Sequence, residues 1–172
     1  MIDNSETNII GEDSDYRYSA EKNNFGILPA NIEMGEAAGV AVDQSDLVYV
    51  YNRGKYPIIV FDKDGDFKSA WGEGTSVNPH GIAVGPDKNI YCVDAGDHTL
   101  KQFDNSGNLL QTIGTPGKFS GRMSGKPFCH PTHAAVSPKT GDIFVSDGYS
   151  NAVVHKFDSD GRFIMSWGRS GT

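Results

Sequence analysis

No apolar stretch in this 172-residue sequence approaches the roughly 18–20 residues that span a bilayer as a helix. No lysine- or arginine-rich run is present either, and 15 basic residues stand against 22 acidic ones. Nucleic acid and an anionic membrane, which both reward clustered positive charge, are therefore not expected as partners. Cysteine is scarce: Cys92, alternating with apolar neighbours in a strand pattern, and Cys129, in a loop-like F-C-H-P segment, cannot build a disulfide framework. The opening MIDNSETNIIGEDSDYRYS has no basic stretch followed by an apolar one, so a soluble, unsecreted, cytoplasmic protein is expected. Helix is missing as well. Apolar residues alternate or cluster over four or five positions between Asp, Asn, Ser and Gly, which leaves no window for a helix of three turns.

What is present is organised unevenly. Residues 1–24 carry six acids (Asp3, Glu6, Glu12, Asp13, Asp15, Glu21) against Arg17 and Lys22, a net −4 of the total −7, and read as a solvated, flexible acidic tail. Residues 25–172 contain three copies of one unit. They begin at Gly39 (GVAVDQSDLVYVYN…), Gly81 (GIAVGPDKNIYCVD…) and His133 (HAAVSPKTGDIFVSD…). Val42 to Val84, Phe61 to Phe103 and Gly65 to Gly107 are each 42 residues apart. The next interval is longer, 52 from Val84 to Val136 and 54 from Phe103 to Phe157, with most of the addition around PGKFSGRMSGKPF. Each copy reads as four short strands, and a four-stranded unit of about 40 residues is the signature of a propeller blade. The expected fold is an all-β propeller of NHL-type four-stranded blades, three of them, at about 37–74, 78–115 and 130–169. The wording P-x-G-I-A-V, I-Y-V-x-D, D-H-T-L and F-D-x-x-G is close to the NHL repeat, best in Pro79 to Gly107.

Few residues suggest chemistry. DKDGD at 62–66 superficially resembles a calcium loop, but Phe67 stands where the sharp turn needs Gly, and DNSG and DSDG in the other copies mark hairpin turns. His155 lies in an alternating strand and His98 in the D-H-T-L stretch, so both read as blade residues. His130 and His133, three apart, are either chance loop neighbours or a metal pair. His80 aligns with Ala38 and Thr132, so the repeat does not demand histidine there. It precedes an innermost strand, where blade loops surround a central channel. Arg53 and Tyr149 likewise occupy the variable turn after the second strand, N-R-G against D-A-G and D-G-Y. Grafted function and drift on an exposed turn both produce that variation.

The ordered set V-Y-V-Y-N-R-G (48–54), N-P-H-G-I-A-V (78–84), F-C-H-P-T-H-A-A-V (128–136) and F-V-S-D-G-Y-S-N (144–151) resembles the peptidyl-α-hydroxyglycine α-amidating lyases (peptidylamidoglycolate lyases) and their bacterial relatives, six-bladed propellers with bound zinc. The resemblance implies that His80 is the first of three zinc histidines. It also implies that Arg53 and Tyr149 stand beside the metal, and that the backbone carbonyls of Val40 and Ile82 help to hold a structural calcium. The implied reaction cleaves a carbinolamide on a peptide or small-molecule substrate into an amide and glyoxylate. Zinc would act as the Lewis acid, Tyr149 as the base, and Arg53 as the anchor for the terminal carboxylate. In secreted members of the family a second cysteine follows the Tyr of D-G-Y. Here Ser150 replaces it, which fits a reducing compartment.

The other zinc histidines and the calcium aspartate of the resemblance belong to later blades, so the expectation is an enzyme site left incomplete and inactive in this chain alone. Three blades expose strand edges that a closed propeller hides, and self-association or a partner half at those edges is expected. The alternative is a non-enzymatic NHL-repeat interaction or ligand-binding scaffold.

Overall fold

The computed structural model describes residues 9–13, 16–19 and 25–171. Inside the acidic segment β1 (Ile9–Asp13) and β2 (Tyr16–Ser19) pair as an antiparallel hairpin, where the sequence reading has only a tail; residues 1–8, 14–15 and 20–24 lie outside the described ones. Three four-stranded sheets follow, each an antiparallel meander in chain order. The first comprises β3 (Ala37–Val42), β4 (Val48–Asn52), β5 (Ile58–Phe61) and β6 (Phe67–Trp71). The second comprises β7 (Pro79–Val84), β8 (Ile90–Asp94), β9 (Thr99–Phe103) and β10 (Leu109–Ile113). The third comprises β11 (His133–Val136), β12 (Ile143–Asp147), β13 (Val153–Phe157) and β14 (Phe163–Trp167). No helix among the described residues is long and apolar enough to cross a membrane.

The last hairpin of each blade is built by one device. Asp62 Oδ1 accepts from the backbone N–H groups of Asp64 and Asp66, Asp104 Oδ1 from Ser106 and Asn108, and Asp158 Oδ1 from Asp160 and Arg162. The following Gly65, Gly107 and Gly161 have φ of 87°, 86° and 76°, a conformation that a Cβ would strain. DKDGD is thus a hairpin turn like its two equivalents.

Two apolar seams hold the blades together. Tyr49, Tyr51, Ile58 and Val60 of blade 1 meet Ile82, Ile90, Cys92 and Phe103 of blade 2. Tyr91, Val93, Leu100 and Ile113 of blade 2 meet Phe128, Ala134, Ile143, Val145 and Phe157 of blade 3. Successive strand residues point to opposite faces, so the middle blade serves both seams: Tyr91 and Val93 face forward while Ile90 and Cys92 face back. The innermost strands converge with little room for side chains. A methyl group on Gly81 would lie 2.5 Å from His133 Nδ1 and 2.8 Å from His133 Cα.

Candidate functional site

At one end of the blades each second strand finishes on a buried Asn or Asp that gathers loose backbone donors. Asp94 accepts from Val77, Asn78, Gly96 and Asp97; Asn52 accepts from Gly35 and Gly54 and donates to the carbonyls of Tyr56 and Pro57. Asp147 accepts from the N–H of Cys129, from Asn151 and from His155 Nε2. These groups tie the turn after the second strand to the segment entering the first, which fixes the positions of Arg53, His80 and Tyr149 in three different blades. Antiparallel pairing of Ala37 with Asn52, Pro79 with Asp94 and His133 with Ser146 puts all three at the same end.

His80 lies where the β7–β8 register shifts between Pro79 and Gly81, as Ala38 does in blade 1. Such a bulge turns a side chain out of the regular alternation. Here it sends the imidazole across to blade 3, where Nδ1 lies 2.8 Å from the Thr132 carbonyl oxygen and Nε2 2.9 Å from the Tyr149 hydroxyl. The rings meet edge to face at 5.3 Å between centroids. A carbonyl can only accept, so Nδ1 carries a proton, and in the neutral ring Nε2 receives the Tyr149 O–H. Tyr149 is 70% exposed. Beside the pair is a depression of about 390 Å³ lined by Val40, His80, Ile82, Thr132 and His133. Val40 and Ile82 sit at equivalent positions on β3 and β7, which run side by side.

Arg53 is not part of that pair. Its Nη1 lies 2.8 Å from Glu36 Oε2, an exposed ion pair, and its backbone N–H donates to the Glu36 carbonyl. Glu36 and Thr132 are contacts that sequence reasoning missed. Thr132 was at least signalled, since it is the blade-3 equivalent of His80; nothing in the sequence singles out Glu36.

The remaining histidines have structural partners. His155, fully buried, sits between Asp147 and Ser166. His98 accepts from the His130 N–H and packs on that ring at 4.6 Å, and burial followed by the neighbouring His130 pushes its pKa down. His130 therefore faces His98 and Cys129, while His133 stands against Gly81. Both cysteines are buried and free, and burial pushes the Cys92 thiol well up. Among the described residues no three His, Cys, Asp or Glu side chains group as a metal site. Catalytic zinc usually needs three protein ligands, so His80 with its fixed Nδ1–H fits one ligand position, and these residues by themselves do not make up the set.

No protein-family model matches the chain. Peptidyl-alpha-hydroxyglycine alpha-amidating lyase 1 of Drosophila melanogaster is 36% identical over 100 residues, covering 58% of this chain and 18% of the relative. NHL repeat-containing protein 3 of Homo sapiens is 34% identical over 146 residues, covering 77% and 41%. The chain is a partial NHL-type β-propeller with amidating lyases among its homologues. Solved structures agree on the fold: streptogramin B lyase superposes with a TM-score of 0.64 at 15% identity, over 82% of this chain and 43% of that one. The nidogen/laminin complex gives 0.62 at 16%, over 76% and 48%. This NHL-type chain spans less than half the length of these curated relatives.

Proposed function

We propose that this chain contributes the first part of an amidating-lyase-type site, cleaving an α-hydroxyglycine carbinolamide to an amide and glyoxylate once further blades complete it. The observation that carries the reading is the His80–Tyr149 contact across blades 2 and 3, in a chain whose homologues include lyases of that name.

Carbinolamide cleavage requires a base to take the hydroxyl proton; the C=O bond then forms, the C–N bond breaks, and the departing nitrogen takes a proton. The Tyr149 oxygen is assigned as the base and general-acid–base partner of the substrate hydroxyl. Arg53 is assigned to the substrate carboxylate, for which its planar fork suits a bidentate contact. Leaving Glu36 costs it little, because exposed ion pairs are worth at most about 1 kcal/mol. His80 is assigned as one zinc ligand, its ring held by Thr132 in the tautomer whose Nε2 would turn from the Tyr149 O–H to the metal, which would leave the Tyr149 oxygen free for the substrate. The carbonyls of Val40 and Ile82 are assigned to a structural calcium, likewise completed from elsewhere. Cytoplasmic residence, with both thiols reduced, is part of the same reading.

Glyoxylate release from a peptide ending in α-hydroxyglycine tests it. The chain is assayed alone and mixed with the part of the Drosophila lyase that follows the aligned region. The expected result is no release alone and release from the mixture, reduced about 100-fold or more by Tyr149→Phe, with zinc lost on His80→Ala. Undiminished release by Tyr149→Phe would sink the assignment. A mixture that binds but never releases glyoxylate favours the second reading, an interaction scaffold, which the likeness to NHL repeat-containing protein 3 supports.

A further inference from the structure

The connection between blades 2 and 3 carries a charge opposite to that of the chain. No Asp or Glu occurs between Asp104 and Asp142, in a sequence with 22 acidic residues, whereas Lys118, Arg122, Lys126 and Lys139 all fall in that interval. Lys118, Arg122 and Lys126 lie in residues 114–132, which join β10 to β11; the corresponding link from β6 to β7 is only 72–78. These three are exposed, and none of them is in an ion pair among the described residues. Long connections without secondary structure of their own are uncommon in compact domains unless they serve a function.

The loop is fastened at both its base and its tip. The Gly117 N–H donates to the carbonyl and to the carboxylate of Asp97, at 3.1 and 2.9 Å, and the Phe119 ring packs on His98 at 5.5 Å. Ser120 closes the neck, giving its N–H to the Phe128 carbonyl and its hydroxyl to the Lys126 carbonyl. The tip is tied to Ser150 and Asn151, which directly follow Tyr149. The Met123 N–H donates to the Ser150 carbonyl, the Gly125 N–H to Asn151 Oδ1, and Asn151 Nδ2 to the Lys126 carbonyl. Arg122 and Lys126 therefore flank the segment held against the Tyr149 turn, with Met123 between them 56% exposed.

The substrate assigned above has a direction. In an α-hydroxyglycine the carboxylate and the amide nitrogen leave the carbinol carbon on different bonds. With the carboxylate on Arg53 in blade 1 and the hydroxyl at Tyr149 in blade 3, the acyl chain on the amide nitrogen runs on past Tyr149 to the loop. We propose that this loop selects substrates whose acyl part is acidic, a peptide with Asp or Glu shortly before the α-hydroxyglycine, its carboxylates met by Arg122 and Lys126 and its apolar stem by Met123. The proposal rests on the lyase reading for that direction. A phosphate group suits the tip less well, because the Met123 and Gly125 N–H groups that could cradle it are already given to Ser150 and Asn151.

Two acetylated peptide amides, alike except for two Glu in one and two Gln in the other, are titrated into the full chain and followed by amide-resolved NMR. The Glu peptide should bind about fivefold to tenfold more tightly at about 0.02 M salt, and the advantage should shrink to within about twofold at about 0.3 M, because exposed charge pairs are weak and screened. Shifts should centre on the Gly125, Ser150 and Asn151 amides. Arg122→Gln combined with Lys126→Gln should remove the preference, and Lys139→Gln, in the β11–β12 hairpin at the opposite end of blade 3, should leave it. No binding of the Glu peptide, equal affinities, a preference that survives the double variant or is lost in Lys139→Gln, or displacement by an equal concentration of inorganic phosphate would each overturn the proposal. Glyoxylate release by the mixture with the Drosophila lyase segment separates the two readings. Release that does not discriminate between Glu-bearing and Gln-bearing α-hydroxyglycine peptides overturns the loop assignment alone. Acid preference at the loop with no release from either supports the loop assignment and overturns the lyase reading.

Discussion

Gly39 and Gly81 occupy the same repeat position, and only one of them should tolerate alanine. A methyl group on Gly39 would come no closer than 3.1 Å, to the His80 carbonyl oxygen, with Ile82 Cγ2 next at 3.2 Å. On Gly81 it would collide with the Thr132 carbonyl oxygen and lie 2.5 Å from His133 Nδ1 and 2.8 Å from His133 Cα. Two of the three obstacles at Gly81 are backbone of the next blade, so relief requires the innermost strands to separate. Overpacking of this kind costs about 1–3 kcal/mol, offset by about 0.4–1 kcal/mol from the stiffer unfolded chain. The net for Gly81→Ala is about 1–2 kcal/mol of lost stability, a fall in Tm of roughly 2–8 °C for a chain of this size. Gly39→Ala should stay within about 2 °C of the parent by the same arithmetic. Thermal unfolding followed by circular dichroism reads the difference. The displaced Thr132 carbonyl is also the acceptor for His80 Nδ1–H, so the imidazole nitrogen shifts of His80 should change in Gly81→Ala and not in Gly39→Ala. Equal melting temperatures for the two variants, or a more stable Gly81→Ala, would refute the reasoning.

Asp94→Ala should be more damaging, because the carboxylate, itself fully buried, accepts from four N–H groups that would lose their partner together. A loss of about 3 kcal/mol is expected by urea unfolding. Asp94→Asn should cost less but not nothing, since its amide would face a donor, whereas Asn52 has the Tyr56 and Pro57 carbonyls to donate to. The depressed pKa of His98 means that the unfolded chain binds its proton first as pH falls. Stability should therefore drop below about pH 6.5, towards the lower folded pKa, and His98→Asn, which tolerates the positive φ of 58°, should flatten that drop in melts between pH 7 and pH 5. Cys92 and Cys129 should resist iodoacetamide in the native chain and react fully in denaturant, read by intact mass, because both thiols are buried.

Strand positions were readable from the one-dimensional pattern because a blade is local. Val48–Asn52 and its equivalents pair with neighbours in chain order, and the Asp that opens each last turn accepts from N–H groups two and four residues on. The acidic segment was less legible, for its short hairpin was not anticipated from charge. His80 could be singled out as an exception to the repeat, but its direction could not. A bulge, rather than strand alternation, aims it, and its two partners lie 52 and 69 residues away. Arg53 was equally conspicuous in the alignment, yet its contact is with Glu36 and not with the pair.

By itself the sequence determined a repeated four-strand unit, its turns, its scarcity of reactive thiols and the three side chains that depart from the frame. Periodicity and turn chemistry act over a few residues, so they are written along the chain. Tertiary structure decided which of those side chains meet, which glycines are sterically required, and that Phe25 caps the back of blade 1. Such contacts depend on the small rotation and spacing between successive sheets, a quantity that no local pattern encodes.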